Sequence, residues 1–135
     1  MIGEWCNLGA DTNTSNLKNN YAEVRLWNYK SENFVRTGLQ FCGLMMGDHS
    51  KCSINTMFNT GTVVGVSANI FGSGFPRNFV PSFSWGGSQG MSTYLTKKAF
   101  EVASVVFQRR GLEFTLQEAE ILEQVFKMSN KHRPA

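Results

Sequence analysis

Any chemistry in this chain must come from a short set of side chains. There are two histidines, His49 and His132, three cysteines, Cys6, Cys42 and Cys52, and a crowd of asparagines at Asn7, Asn13, Asn16, Asn19 and Asn20. An asparagine amide both donates and accepts, which suits the recognition of amides and sugar hydroxyls. Asparagine also fills left-handed turns and stacks in structural ladders, so most of this cluster is expected to be structural. His49 has no sequence neighbour that would orient it as a general base, and it is expected to be solvated or packed at an interface. A three-histidine zinc centre is not expected, because one chain cannot supply the ligands. The cysteine count is odd and no CxxC occurs, so Cys6 and Cys52 read as reduced, small hydrophobes. Lys97, Lys98, Arg109 and Arg110 offer charge to phosphates, but a solvated helix face explains them equally well. There is no GxGxxG, P-loop or HExxH.

The elements that must position these residues begin with a six-residue rhythm. Met46 to Phe75 reads MGDHSK, CSINTM, FNTGTV, VGVSAN, IFGSGF. The first position is apolar throughout (Met46, Cys52, Phe58, Val64, Ile70), and the fifth is small (Ser50, Thr56, Thr62, Ala68, Gly74). Neither a helix nor a simple strand sustains a period of six. Such repeats wind short strands into a parallel β-helix, three hexads per triangular coil. Residues eighteen apart should therefore stack, Met46 under Val64 and Cys52 under Ile70, with the first position in the core and the small fifth residue easing the corner. IGEWCN and LGADTN at the N-terminus obey the same pattern. The chain thus starts in mid-repeat, and a truncation start with preceding coils missing is the expectation.

Between these blocks, residues 18–38 break the rhythm with two β-prone runs around Lys30-Ser31-Glu32-Asn33, predicting an inserted hairpin. Past Gly72–Gly74 and Pro76 the regular part is expected to end, followed by an irregular, aromatic-rich connector from Arg77 to Trp85 with room for one short strand, and then a flexible joint of glycines. Two helices are then expected: Thr96 to Arg110, closed by Gly111, and a second opening on the capping box Thr115-Leu116-Gln117-Glu118 and running to about Met128. They should cover the open end or the flank of the coil. The tail from Asn130 is expected to fray.

Composition bounds the function. The 135 residues suit one moderately sized unit, and 41% hydrophobic with 17% charged residues is globular. A net charge of +3 is too small to argue for nucleic acid. No apolar run approaches the roughly 18 residues of a membrane span, and no signal-peptide core is present. A cytoplasmic protein without disulfides is the simplest expectation.

At Asn7-Leu8-Gly9-Ala10-Asp11-Thr12, followed by Ser15-Asn16, the sequence resembles a known family. It is similar to the left-handed β-helix half of bifunctional glucosamine-1-phosphate acetyltransferase / N-acetylglucosamine-1-phosphate uridyltransferases. That family carries an NxGAGT…CNY stretch, a loop, and a GDD-led run of hexads, matched here by Gly47-Asp48-His49 onward. A variant branch with a long Trp-containing loop and an FGSGFPRNF segment, here residues 71–79, is closer still. The resemblance covers about residues 2–85, and the terminal helices match only that branch.

The resemblance implies a mainly β fold: a left-handed parallel β-helix over residues 1–85 with its inserted hairpin, and a C-terminal helical segment over 86–135. It also implies a homotrimer with acetyl-CoA lying between solenoids as acyl donor and an amino-sugar phosphate as acceptor. The implied function is the N-acetyltransferase portion of a UDP-N-acetylglucosamine-forming enzyme, acting on glucosamine 1-phosphate. The family's asparagine positions fall on Asn7 and Asn16, near the acceptor and acetyl group, and its coenzyme-contacting backbone positions fall on Ile54 and Gly72. The serine usual at Ile54 is absent, so contact there would use the main chain. The family's base histidine lies a coil earlier than Asn7, upstream of this chain. The nucleotidyltransferase half, with its Mg, is missing. The alternative is a non-catalytic trimerisation or regulatory domain of a sugar-1-phosphate nucleotidyltransferase, since fold does not fix function. A third reading, acyl transfer to a different amino sugar, is prompted by the long insertion.

Overall fold

The computed structural model describes residues 1–134. The hexads fold as two-residue strands that fall on three sheets in turn. β1 (Asn7–Leu8) and β2 (Asn13–Thr14) come first, then a hairpin of β3 (Arg25–Asn28) and β4 (Asn33–Arg36). The rhythm resumes with β5 (Met45–Met46), β6 (Lys51–Cys52), β7 (Met57–Phe58), β8 (Val63–Val64) and β9 (Asn69–Ile70). Parallel pairing sets Met46 beside Val64 and Cys52 beside Ile70, the eighteen-residue register that the hexads predict. Across the hairpin the register is held: Leu8 pairs with Cys52, Thr14 with Phe58, and Ile2 bridges to Met46.

First-position side chains point inward. Met46, Cys52, Phe58, Val64, Ile70 and Val80 form one buried cluster. Pleating turns their predecessors outward, so the outer face of the largest sheet is a column of Asn7, Lys51, Asn69 and Trp85 on successive parallel strands.

The corner is made by the fourth residue of the hexad, not the fifth. Trp5, Asp11, His49, Asn55, Ser67 and Phe83 all have φ between 52° and 63°. That left-handed conformation is unfavourable for an L-residue by roughly 1–2 kcal/mol. At three of these corners, and at the one that Gly61 makes, the fifth residue braces the turn. Its hydroxyl donates to the carbonyl three residues back: Thr12 to Gly9 at 2.6 Å, Thr56 to Ser53 at 2.8 Å, Thr62 to Asn59 and Ser84 to Pro81 at 2.7 Å. At the second position, Gly9 and Gly65 let adjacent layers touch, since a Cβ there would strike the main chain of Ile54 or Ser82.

The sheets do not stop at Gly74. β10 (Phe79–Val80) joins β8, and β11 (Ser84–Gly87) joins β9, both in parallel. Ile70 to Val80 spans ten residues where two hexads would take twelve, with no strand on the third side, and this shortening hides the continuation from a six-residue reading. The expected glycine joint is a tight antiparallel hairpin to β12 (Gly90–Thr93), with Gly86 at φ 143° and Gly90 at φ 137°. Met91 folds onto the core cluster at this end. β-structure therefore reaches Thr93 rather than Trp85.

The inserted hairpin packs on the wall. Trp27 stacks on Phe79 with ring centroids 4.1 Å apart and an interplanar angle of 5°. Val24 is fully buried, close to Gly61.

α1 (Thr96–Gln108) lies along one corner of the stack. Ala99, Ala103 and Phe107, spaced i, i+4, i+8, form its buried stripe, whereas Val102 is exposed. Ala99 packs with Phe83 in the last circuit, and Phe107 lies 4.3 Å from Trp5 in the first. The eight-residue rise from 99 to 107 is about 12 Å, close to the ~14 Å of three strand spacings. α2 (Leu116–Met128) starts where the capping pattern predicts, with Thr115 accepting from the Glu118 amide at 3.2 Å. Its Leu122 and Phe126 cover Phe83.

The tail is ordered where fraying was expected. Asn130–His132 form a 3-10 turn, and Arg133 is buried, donating to Ser82 O, Phe126 O, Ser129 Oγ and Asn130 Oδ1. Three of its partners lie within seven residues, but Ser82 is fifty-one residues earlier, and it is the docking of the tail on that circuit that buries the side chain.

Candidate functional site

A cleft of about 630 Å³ opens where the largest sheet meets the C-terminal end of α1. Its floor is Asn7 and Lys51, side by side on paired strands, with Cys6 and Trp5 from the preceding corner. Val106, Arg109 and Arg110 form the opposite wall, and Glu4 stands with them. Each position has a local cause. Asn7 and Lys51 are outward residues of their strands because Leu8 and Cys52 occupy the inward ones. Arg109 caps α1, and Arg110 lies in the turn closed by Gly111 at φ 69°.

The electrostatics are one-sided, three cations to a single carboxylate. The Lys51 ammonium donates to the His49 carbonyl at 3.0 Å, and burial pushes its pKa down, with Cys6 opposing. Burial likewise pushes the Cys6 thiol up, and its sulfur hydrogen-bonds to the Gly47 carbonyl at 3.2 Å. Cys6 is therefore a protonated donor at neutral pH and a poor nucleophile.

His49 sits behind this cleft, 8% exposed and stacked on Phe107 at 5.9 Å. Its Nδ1 has no hydrogen-bond partner. Burial, then Lys51, pushes its pKa down, against a smaller pull from Asp48. It is a packed corner residue, covered by a helix of its own chain. Asp48 accepts from the Glu4 amide of the neighbouring layer at 2.8 Å.

Of the four sequence-predicted site residues, Asn7 alone lines this cleft. Asn16 is exposed after β2, its carbonyl accepting from the Cys42 amide at 2.9 Å. Ile54 and Gly72 occupy equivalent corners one circuit apart. Ile54 is 64% exposed, and a Cβ on Gly72 would meet nothing within 4 Å. Lys51 carried no signal in the sequence reading, and Arg109 and Arg110 read as helix-end charge; only the folding of α1 onto the stack brings them together.

Residues 86–90 spell G-x-S-x-G, the letters of a serine nucleophile turn. They form the β11–β12 hairpin turn rather than a strand-to-helix elbow, and the Ser88 hydroxyl is bound to the Ser73 carbonyl. Among the described residues no three His, Cys, Asp or Glu side chains are grouped to hold a metal. No helix there is long and apolar enough to cross a membrane. Comparison with protein-family models gives no match, and comparison with curated proteins gives none either. Fold and cleft together define a mainly β protein of short, mostly parallel strands flanked by two helices.

Proposed function

We propose that this chain is the acetyl-CoA-dependent N-acetyltransferase portion of a cytoplasmic UDP-N-acetylglucosamine-forming enzyme, built on a left-handed parallel β-helix and working as a homotrimer. The observation that carries this reading is the parallel stacking of the strands, kept in register across the inserted hairpin, which holds Asn7 outward beside Lys51 at the mouth of a cleft. In the reaction, the amine of glucosamine 1-phosphate forms a bond to the acetyl carbon as the carbon–sulfur bond of the thioester breaks. The amine proton passes by way of a base to the departing sulfur, so that coenzyme A leaves as the free thiol. This chain's residues bind and orient. Asn7 fits the acceptor's hydroxyls, being exposed and free of steric cover. Asn16 is equally open to hold the acetyl carbonyl or the amine from a second subunit's side. Ile54 and Gly72 offer main chain at exposed corners.

One observation favours the second reading, a non-catalytic trimerisation or regulatory domain. Asn16, Ile54 and Gly72 do not line the cleft that holds Asn7. Isothermal titration with acetyl-CoA separates the two. Saturation near one coenzyme per subunit supports the transferase. No heat at millimolar ligand, from protein shown to be folded, favours the trimerisation domain.

A further inference from the structure

Of the three cations of the Asn7 cleft, Lys51 makes one bond within the fold, to the His49 carbonyl, and the Arg109 and Arg110 side chains make none with the described residues. Among the described residues none of Lys51, Arg109 and Arg110 forms an ion pair. Arg109 and Arg110 are exposed at a helix end, and their removal would expose no core. Yet two segments far apart in sequence bring them to one hollow: a strand of the stack, and the cap of α1 with the turn that follows it. The hollow has the volume of a small-ligand site, not a macromolecular groove. Guanidinium groups bind phosphate oxygens in pairs, and an ammonium adds a point charge. Glu4, Asn7 and the Cys6 thiol lie beside the cations as partners for hydroxyl or amino groups, and the Trp5 indole supplies a flat wall.

We propose that Lys51, Arg109 and Arg110 form a phosphate-binding end of this cleft, which takes a phosphorylated small molecule whose polar remainder lies against Asn7. The assignment goes beyond the acyl-transfer reading, since it requires a phosphoryl anion and no acyl step. It gives α1 a part in binding as well as in packing.

The test is calorimetric titration of the whole chain with inorganic phosphate, glucosamine 1-phosphate, unphosphorylated glucosamine and acetyl-CoA. Wild type is compared with Arg109→Gln/Arg110→Gln and, separately, Lys51→Gln, each checked for an unchanged thermal transition. Inorganic phosphate and at least one phosphorylated compound should bind wild type, with Kd rising about tenfold or more in the double variant. Response to glucosamine should be unaltered by the substitutions. Loss confined to glucosamine 1-phosphate places the acceptor's phosphate here, and loss confined to acetyl-CoA places the coenzyme's. Equal binding of every phosphorylated probe by wild type and by both folded variants would overturn the proposal, as would no phosphate binding by wild type at millimolar concentration. Acetyl-CoA binding that survives in both variants would, in that case, leave the transferase reading standing alone.

Discussion

The guanidinium of Arg133 donates to the carbonyl of Ser82, fifty-one residues earlier, at 3.2 Å, and so ties the end of the chain to the last circuit of the stack. Further donations reach Ser129 Oγ at 2.6 Å and Phe126 O at 3.0 Å, and the group lies 4.1 Å from the Phe126 ring centroid. Arg133→Met should cost about 2–4 kcal/mol, because buried carbonyls lose a charged donor. Chemical denaturation measures it, and a loss under about 0.5 kcal/mol, the range of ordinary surface changes, would make the latch incidental.

Val64 is 3% exposed between Met46 and Val80. Val64→Asp would place an unpaired charge in the buried core cluster and should unfold the protein, a loss of more than about 4 kcal/mol. A thermal transition near that of wild type would refute the inward register.

Thr62 is fully buried and donates to the Asn59 carbonyl across a corner. Thr62→Val keeps the shape and removes the donor, so the expected loss is about 1 kcal/mol, with unchanged oligomeric state. An unaltered denaturation midpoint would show that the left-handed corners need no hydroxyl support.

His49 titrates below its ordinary value of 6.5 in the folded protein because it is buried. The unfolded chain therefore binds the proton first as pH falls. The stability contribution is complete above about pH 6.5 and declines as pH drops below it through the folded pKa. Melting temperatures from pH 8 to 4.5 should fall more steeply in wild type than in His49→Gln. Parallel curves would remove His49 from the account.

Asn16 is exposed, and only its main chain is engaged in the fold. Under the transferase reading Asn16→Ala should weaken acetyl-CoA or acceptor binding about two- to tenfold, the worth of one hydrogen bond, with stability held within about 0.5 kcal/mol. Marked destabilisation with normal binding would identify a structural ladder residue instead.

The stacking register was legible because Met46, Cys52, Phe58, Val64 and Ile70 repeat a single geometric demand, an apolar side chain facing a narrow core. Both helix starts and the Thr115 cap were legible for the same local reason. The continuation through Val80 and Trp85 was not, since two residues fewer on one side erase the period. Nor did the letters announce corners at Trp5, His49 and Phe83, where the preference for Gly, Asn or Asp is overridden by packing under α1. Asn7 was singled out from its sequence context. Its neighbours Lys51 and Arg110 became neighbours only through tertiary contacts that no local pattern encodes.

The hairpin leaves and returns without disturbing what lies on either side. Glu4 meets Asp48 across forty-four residues, whereas Ser50 meets Ala68 across eighteen, yet both contacts join adjacent layers. An excursion placed at such a seam can be lengthened, trimmed or exchanged while every paired residue keeps its partner. The scaffold and the excursion can therefore change at separate rates, and a new surface can be tried on this protein without first loosening the old one.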